Sequence, residues 1–230
     1  MVLVHQGHEI ARKFFSGTSS SYDTVVNTAT FSQDNLWKRA ILDLIPEGNY
    51  KVLDLACGTG ILSLEIAKKA SHVVGIDITE DSVRIAREKA LVRNVRNVSF
   101  CVSAAEAIPQ ADEEFDCVTA SYLPKYCNID QVIGEVCRVL KPSGMLIMHD
   151  FTYPSNIMMR VLWNAYCEIL RIVGLFIPSW RTVFNELDDV IRKSNWVDEL
   201  MQTMKRYNFA DIQCKSLTLD TAAIVWGKLS

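Results

Sequence analysis

From residue 50 onward, apolar residues gather in short continuous runs with helix-period segments between them. Five such runs, at 51–55, 72–76, 98–102, 115–121 and 145–151, are too short for buried helices and read as strands covered on both faces. The segments at 60–69, 80–93 and 130–140 carry apolar residues three and four apart. In the last of them Val132, Ile133, Val136, Val139 and Leu140 share one side. Thr79 stands where an N-cap hydroxyl is expected, with Glu80 and Asp81 in the first turn to suit the helix dipole. Pro142-Ser143-Gly144 is expected to stop the third helix ahead of the fifth strand. Strands alternating with helices in this way predict βαβ units and a parallel sheet.

The remaining pattern extends that sheet. Residues 155–195 read as helical but broken at Gly174 and Pro178, a helix is expected over 197–207, and two closing strands near 211–217 and 222–228. Ahead of residue 50, helices at 7–16 and 33–45 flank a polar linker. The expectation is one doubly wound α/β domain over 1–230 with a seven-stranded, mostly parallel, Rossmann-like sheet. N-terminal helices cap it over 1–49, and a helical lid over 152–196 is inserted after strand five.

Composition narrows the partners. Nearly half of the 230 residues are hydrophobic, enough for a sizeable core, and the net charge of −3 argues against a duplex nucleic-acid binder, which needs basic phosphate contacts. The basic run 84–96 reads as a solvated helix face. No apolar stretch approaches the roughly 20 residues that span a bilayer, and the start of the chain lacks the apolar core of a signal peptide. Seven cysteines without a CxxC pair suggest neither a disulfide framework nor a metal site; Cys101, Cys117 and Cys137 are expected as small buried hydrophobes. A cytoplasmic protein is expected, with at most peripheral membrane contact and an oligomeric state left open, a dimer included.

The chemistry concentrates in Val52-Leu53-Asp54-Leu55-Ala56-Cys57-Gly58-Thr59-Gly60. An apolar strand ends there in a Gly-rich turn that opens a helix, the place where open α/β sheets bind ligands. One strand later, Gly75-Ile76-Asp77 sets an acid where a ribose diol would bond. A dinucleotide would need its pyrophosphate at the helix N-terminus, but 58–63 fits G-x-G-x-x-G/A only with Ser63 last, and Asp54 brings negative charge towards the anion. S-adenosylmethionine carries an ammonium and a sulfonium and no phosphate, so the acid-plus-glycine turn favours it over a nicotinamide coenzyme.

Ser21-Tyr22-Asp23-x-x-x-Asn27, Leu36-Trp37-Lys38-Arg39, the 52–60 loop, Gly75-Ile76-Asp77, Ala105-Glu106-Ala107-Ile108-Pro109, Phe115-Asp116-Cys117-Val118 and 138–144 together resemble the ubiquinone/menaquinone-biosynthesis C-methyltransferases of the class I methyltransferase superfamily. The likeness covers nearly the whole chain. The loop, AEAIP, FD and RVLKP blocks specify the superfamily; the YD…N and W-K-R segments carry the quinone-type likeness. It implies methyl transfer from S-adenosylmethionine to a small lipophilic acceptor, a ring carbon of a prenylated quinol. By position it implies Asp54, Cys57, Gly58 and Gly60 at the methionine end of the donor, Asp77 on the ribose, and Ile78 on the adenine. Ala105 and Glu106 would lie over the adenine edge, Ser121 beside the donor, and Tyr22 in a segment that closes over it. The chain departs from the family at Ala104, where an acid or amide is usual, at 121–126, where Lys125 or Pro124 replaces an arginine, and at 219–221, which lacks a glycine.

For a phenolic ring carbon a base must expose the nucleophile, or the acceptor must bind as its anion. The candidates are Tyr122, Lys125, Tyr126 and Asp150, with His149 alternating to the other side of its strand. Asp150 reads equally as a base or as a capping or salt-bridged carboxylate. Lys125 reads as an exposed loop lysine, or as a charge against a phenolate. Tyr22 and Tyr126 double as packing aromatics. Residues 153–180 read as a lid that joins the core, with a channel for a polyprenyl tail and shallow membrane contact as the sharper alternative. O- or N-methylation of another small molecule, a non-catalytic S-adenosylmethionine binder and a dinucleotide oxidoreductase are the rival functions.

Overall fold

A computed structural model describes residues 2–15, 17–45 and 48–230 of the chain. In chain order its elements are α1 (Val2–Phe15), α2 (Tyr22–Ala29), α3 (Gln33–Leu44), β1 (Lys51–Leu55), α4 (Ile61–Ile66), β2 (His72–Asp77), α5 (Glu80–Val92), β3 (Val98–Val102), β4 (Phe115–Ser121), α6 (Ile129–Val139), β5 (Leu140–Phe151), α7 (Ile157–Gly174), α8 (Arg181–Lys193), α9 (Trp196–Arg206), β6 (Phe209–Leu217) and β7 (Ala222–Leu229). Short 3₁₀ turns at Pro124–Tyr126 and Pro178–Trp180 complete them.

The strands form one sheet in the order β3-β2-β1-β4-β5-β7-β6. All run parallel save β7, which lies antiparallel between β5 and β6. The chain leaves β1 in one direction to build β2 and β3, then returns to β1's other edge with β4, so the crevice between the carboxyl ends of β1 and β4 is the topological switch point. Asp54 pairs with Gly75 on one side and Thr119 on the other, which fixes the register at the mouth of that crevice.

Alternation along β1 divides the core. Leu53 and Leu55 face Val132, Ile133 and Val136 of α6 and Leu200 and Met204 of α9. Val52 faces Ile41 of α3 and Leu62 and Ile66 of α4 on the opposite side. Burying each such side chain contributes about 1.5–3 kcal/mol, so the two layers together hold the sheet. Phe100 on β3 explains two glycines. A Cβ on Gly75 would sit 2.5 Å from the Phe100 ring and one on Gly60 3.0 Å from it, so both glycines let the ring slide under the loop after β1.

Several expectations need correction. The polar linker between the first two expected helices holds a third, α2, although the end of α1 at Ser16 lies outside the described residues. Pro142-Ser143-Gly144 does not separate helix from strand: α6 ends at Val139, β5 starts at once, and the three residues lie within β5. A register shift against β4 between Phe115 and Cys117 and a left-handed Ser143 (φ +63°) absorb them. The Thr79 hydroxyl makes no cap; its N–H instead donates to Asp77. Helix α4 is a little under one turn shorter at its far end than the pattern suggested. Cys117 is buried, whereas Cys101 and Cys137 are only half-buried. Within 84–96 the exposed Arg84 pairs with Glu88, but Arg87 turns in to cap the Phe100 carbonyl.

Candidate functional site

Two chambers open along the switch-point crevice and share a wall. The smaller, about 80 Å³, lies over the ends of β1 and β2 and is lined by Ala56, Gly58, Thr59, Asp77, Ile78, Ala105, Glu106 and Ser121 below, with residues of α1 and α2 above. The larger, about 300 Å³, lies between α2, α3, α7 and α8 and is walled almost wholly by aromatic and aliphatic side chains. Phe15, Tyr22, Tyr122 and Tyr126 line both.

The loop after β1 is shaped by backbone geometry. Ala56, Gly58 and Gly60 all adopt positive φ, which makes the chain turn tightly after β1, and Gly60 N–H donates to the Cys57 carbonyl at 2.9 Å. Gly58 N–H donates to Asp77 Oδ2 at 2.9 Å and Thr79 N–H to Asp77 Oδ1 at 2.8 Å. Burial raises the Asp77 carboxyl above the ordinary aspartate value, and these two backbone bonds oppose the rise. Asp54 lies beneath the loop rather than on the chamber wall. Ser63 Oγ donates to its Oδ2 at 2.5 Å and Thr119 Oγ1 to its Oδ1 at 2.8 Å. Burial pushes it up to about 6, against those hydroxyls and the Lys38 charge.

Like Asp54, two further loop residues expected at the donor, Cys57 and Gly60, are not on the chamber wall. Cys57 turns into the cluster of Leu64, Val83 and Phe100, its N–H donating to the Ile76 carbonyl at 2.9 Å, and burial holds its thiol well above the usual range. Gly60 packs on Phe100 and Ala86. Glu106 lines the chamber with both oxygens engaged, one by Asn128 N–H at 3.1 Å and one by His8 Nε2 at 2.9 Å. Ser121 shares a 3.0 Å hydrogen bond with His149 Nδ1.

The N-terminal helices supply side chains that the sequence reading did not single out. Asp23 on α2 accepts a 2.6 Å bond from Thr59 Oγ1 in the loop and pairs with Lys89 on α5. Asp34 and Lys38 form a buried pair one turn apart on α3. Tyr122 Oη donates to Asp34 at 2.8 Å, and Lys38 Nζ stands 5.5 Å over the Tyr122 ring. The signal for Asp23 and Lys38 was present in the YD…N and W-K-R segments; nothing local marks Asp34 as the partner of Lys38, or Ser63 and Thr119 as the partners of Asp54.

Tyr122 sits at the end of β4 with φ +65°, a region that costs a bulky residue energy, and its N–H is tied to the His149 carbonyl at 2.9 Å. That conformation turns its ring onto Phe151, stacked at 5.0 Å, between the two chambers. Lys125 is not an exposed loop lysine: its side chain is 1% exposed, lines the larger chamber, and donates to the equally buried Asp150. Burial pulls the Lys125 amine well below the usual lysine range. Asp150 Oδ1 also accepts from Phe151 N–H at 2.7 Å, while Oδ2 has no partner. Asp150 thus stands behind Lys125 and off the chamber wall. His149 is buried and held neutral by desolvation, with Trp37 and Tyr122 against its ring and Nε2 unpartnered.

The smaller chamber carries two carboxylates, Asp77 and Glu106, and neither lysine nor arginine among its lining residues. Such a lining suits a cationic nucleoside and offers nothing to a diphosphate. Among the described residues no cluster of His, Cys, Asp and Glu could hold a metal, and no helix is long and apolar enough to cross a membrane.

Comparison with known proteins agrees with this geometry. Residues 4–228 match the model of the ubiE/COQ5 methyltransferase family. The ubiquinone/menaquinone biosynthesis C-methyltransferase UbiE of Rickettsia bellii is 27% identical over 232 residues, covering 97% of this chain and 94% of that protein. The protein of the same name from Pseudomonas entomophila is 29% identical over 218 residues, covering 91% and 85%. In fold the chain is similar to the geranyl diphosphate C-methyltransferase of Streptomyces coelicolor, solved with S-adenosyl-L-homocysteine, at TM-score 0.65 and 13% identity over 86% of this chain and 79% of that one. With a family match that runs almost from end to end over a sheet of this strand order, the chain belongs to the ubiE/COQ5 family of S-adenosylmethionine-dependent methyltransferases.

Proposed function

We propose that the protein methylates a ring carbon of a lipophilic, prenylated quinol, with S-adenosylmethionine in the smaller chamber and the quinol ring in the larger. The observation that carries this reading is that the two chambers adjoin: Phe15, Tyr22, Tyr122 and Tyr126 border both, so these rings frame the passage in which the donor methyl and the acceptor carbon come into direct contact. Bound there, S-adenosylmethionine supplies an electrophilic methyl group on a positively charged sulfur.

On the donor side, Asp77 accepts the ribose hydroxyls. A carboxylate has about four lone-pair positions, so it does this while keeping its bonds to Gly58 and Thr79. Ile78 packs on the adenine, and Ala105 and Glu106 border its edge. Gly58 leaves room for the ligand to lie on the backbone, Ser121 faces the donor from β4, and Tyr22 closes over it. Asp54 acts from below, its negative charge favouring a cation in a chamber with little water to screen it. Cys57 and Gly60 serve the loop's shape rather than the ligand.

On the acceptor side, Tyr122 and Tyr126 hold the quinol ring in line with the donor, which supplies much of the rate in a displacement that needs alignment and a dry pocket. Burial raises both phenols above the ordinary tyrosine value, so both stay neutral: Tyr126 has its O–H to donate, whereas the Tyr122 O–H is already given to Asp34 and its ring serves by packing. The quinol binds as its anion, its hydroxyl proton already lost to solvent. Lys125 faces that oxygen and stabilises the charge, and Asp150 orients Lys125. The ring proton displaced by the new carbon–carbon bond leaves to water as the ring regains aromaticity. The apolar lining from Leu162, Leu170 and Phe184 receives the start of the prenyl tail.

The test is to incubate the purified protein with donor and a demethylated, short-tailed quinol kept reduced. A product heavier by one methyl, with the new carbon on the ring by NMR, is the expected result. A methyl ether would move the assignment to O-methylation. Donor binding without transfer to any quinol would overturn the substrate class.

A further inference from the structure

The outward face of α7 is bare. Twelve of its positions and those of the following loop, from Ile157 to Phe176, are exposed, and only Asn164 and Glu168 among them are polar. Both are turned to neighbours: Asn164 is held by Arg192 and Glu168 by Arg171. The inward face of the same helix, including Met159, Trp163 and Tyr166, forms a wall of the larger chamber. Helix α7 is therefore apolar on both sides, one lining a cavity and the other facing water. Phe31, 73% exposed and packed 5.5 Å from the Tyr166 ring, carries the bare surface round to the chamber's rim.

Charge around this face differs from that of the whole chain. Residues 151–183 carry Arg160, Arg171 and Arg181 against Glu168 within a protein of net charge −3; Arg171 is paired with Glu168 and with Asp188 of α8, which leaves Arg160 and Arg181 as the cations at the edge of the face. The exposed Arg181 lies beside the end of α7, its Cα 3.3 Å from where a Cβ on Gly174 would be. An apolar helix face of this length, about 27 Å, edged by arginines is the pattern of a helix that lies in a membrane interface.

We infer that the outward face of α7, with Phe176 at its tip and the arginines at its edge, docks on an anionic lipid bilayer, bringing the larger chamber's rim to the surface from which a long-tailed acceptor enters. Its role in acceptor entry rests on the lipophilic acceptor proposed above; the docking itself rests on the exposed face and its charge.

Flotation with phosphatidylcholine vesicles, with and without phosphatidylglycerol, tests it. The wild-type protein is expected to float with the anionic vesicles and to release as salt is raised. The variants I172Q and F176Q, at positions outside the chamber, are expected to bind about tenfold more weakly each. Both are expected to methylate a short-tailed acceptor in solution at the wild-type rate and a long-tailed acceptor in vesicles more slowly. Protein that stays unbound with either vesicle overturns the inference, as does a dimer that sedimentation shows to be split by F176Q, since a second copy would then cover the face. Transfer to no quinol at all, with flotation intact, would strike the substrate reading and leave the docking standing.

Discussion

Lys125 Nζ meets the Asp150 carboxylate at the ends of β4 and β5, with both side chains out of reach of water. Removing one member of a buried pair costs about 3–5 kcal/mol, because the other charge is left alone in a low dielectric. K125M should lower the stability measured by urea unfolding by that amount, and K125M/D150N should recover most of it. Methyl transfer should stay low in both variants if Lys125 faces the acceptor. Full activity in the double variant would reduce the pair to a packing element.

Asp54 predicts a pH dependence. Its folded value of about 6 lies above the ordinary aspartate value of 3.8, so the folded state holds this proton more tightly than the unfolded one. The contribution is favourable below about pH 4 and is lost as pH rises through about 6. A shift of this size corresponds to roughly 3 kcal/mol. D54N should therefore unfold with a flatter stability profile between pH 4 and 7 than the wild type, read as urea midpoints at each pH. Parallel profiles would show that the carboxyl titrates normally.

Asp23 is the clasp between α2 and the donor loop. D23A removes the part-exposed pair with Lys89 and leaves the buried Thr59 hydroxyl without its acceptor, so global stability should fall by about 1–3 kcal/mol. Donor binding by calorimetry should weaken, and hydrogen exchange over residues 22–29 should quicken. Unchanged exchange there would mean that aromatic packing alone seats the helix.

Cys167 is buried in the wall of the larger chamber. C167F should fill part of that space at a packing cost of about 1–3 kcal/mol. KM for a long-tailed acceptor should rise at least several-fold while donor affinity holds. If both affinities fall together, the chamber is not a separate acceptor site.

Strands β1, β2 and β4 were legible because each is mostly apolar, and parallel strands covered on both faces leave that imprint; β3, expected to be covered likewise, is at the sheet edge and buried only at Phe100. Helix α2 left none. Its sequence, Tyr-Asp-Thr-Val-Val-Asn-Thr-Ala, is rich in weak helix formers and none of its residues is fully buried. It forms because Tyr22 packs edge-on to Phe15 and Asp23 is bonded across the fold. The donor loop was readable for the same reason as β1, apart from the direction of Cys57, which depends on Phe100 lying beneath it. Lys125 looked solvated because its partner is on the next strand, 25 residues away. Burial of a charge depends on tertiary contacts that no local pattern records.

The four rings between the chambers have a thermodynamic consequence. A ligand that orders Phe15, Tyr22, Tyr122 and Tyr126 from one side has already met part of the entropy loss for a ligand on the other. By reciprocity, whatever factor the first ligand adds to the second's affinity, the second adds to the first's. Side chains shared by both chambers thus make the two equilibria a single coupled one, and neither affinity is a property of its own chamber.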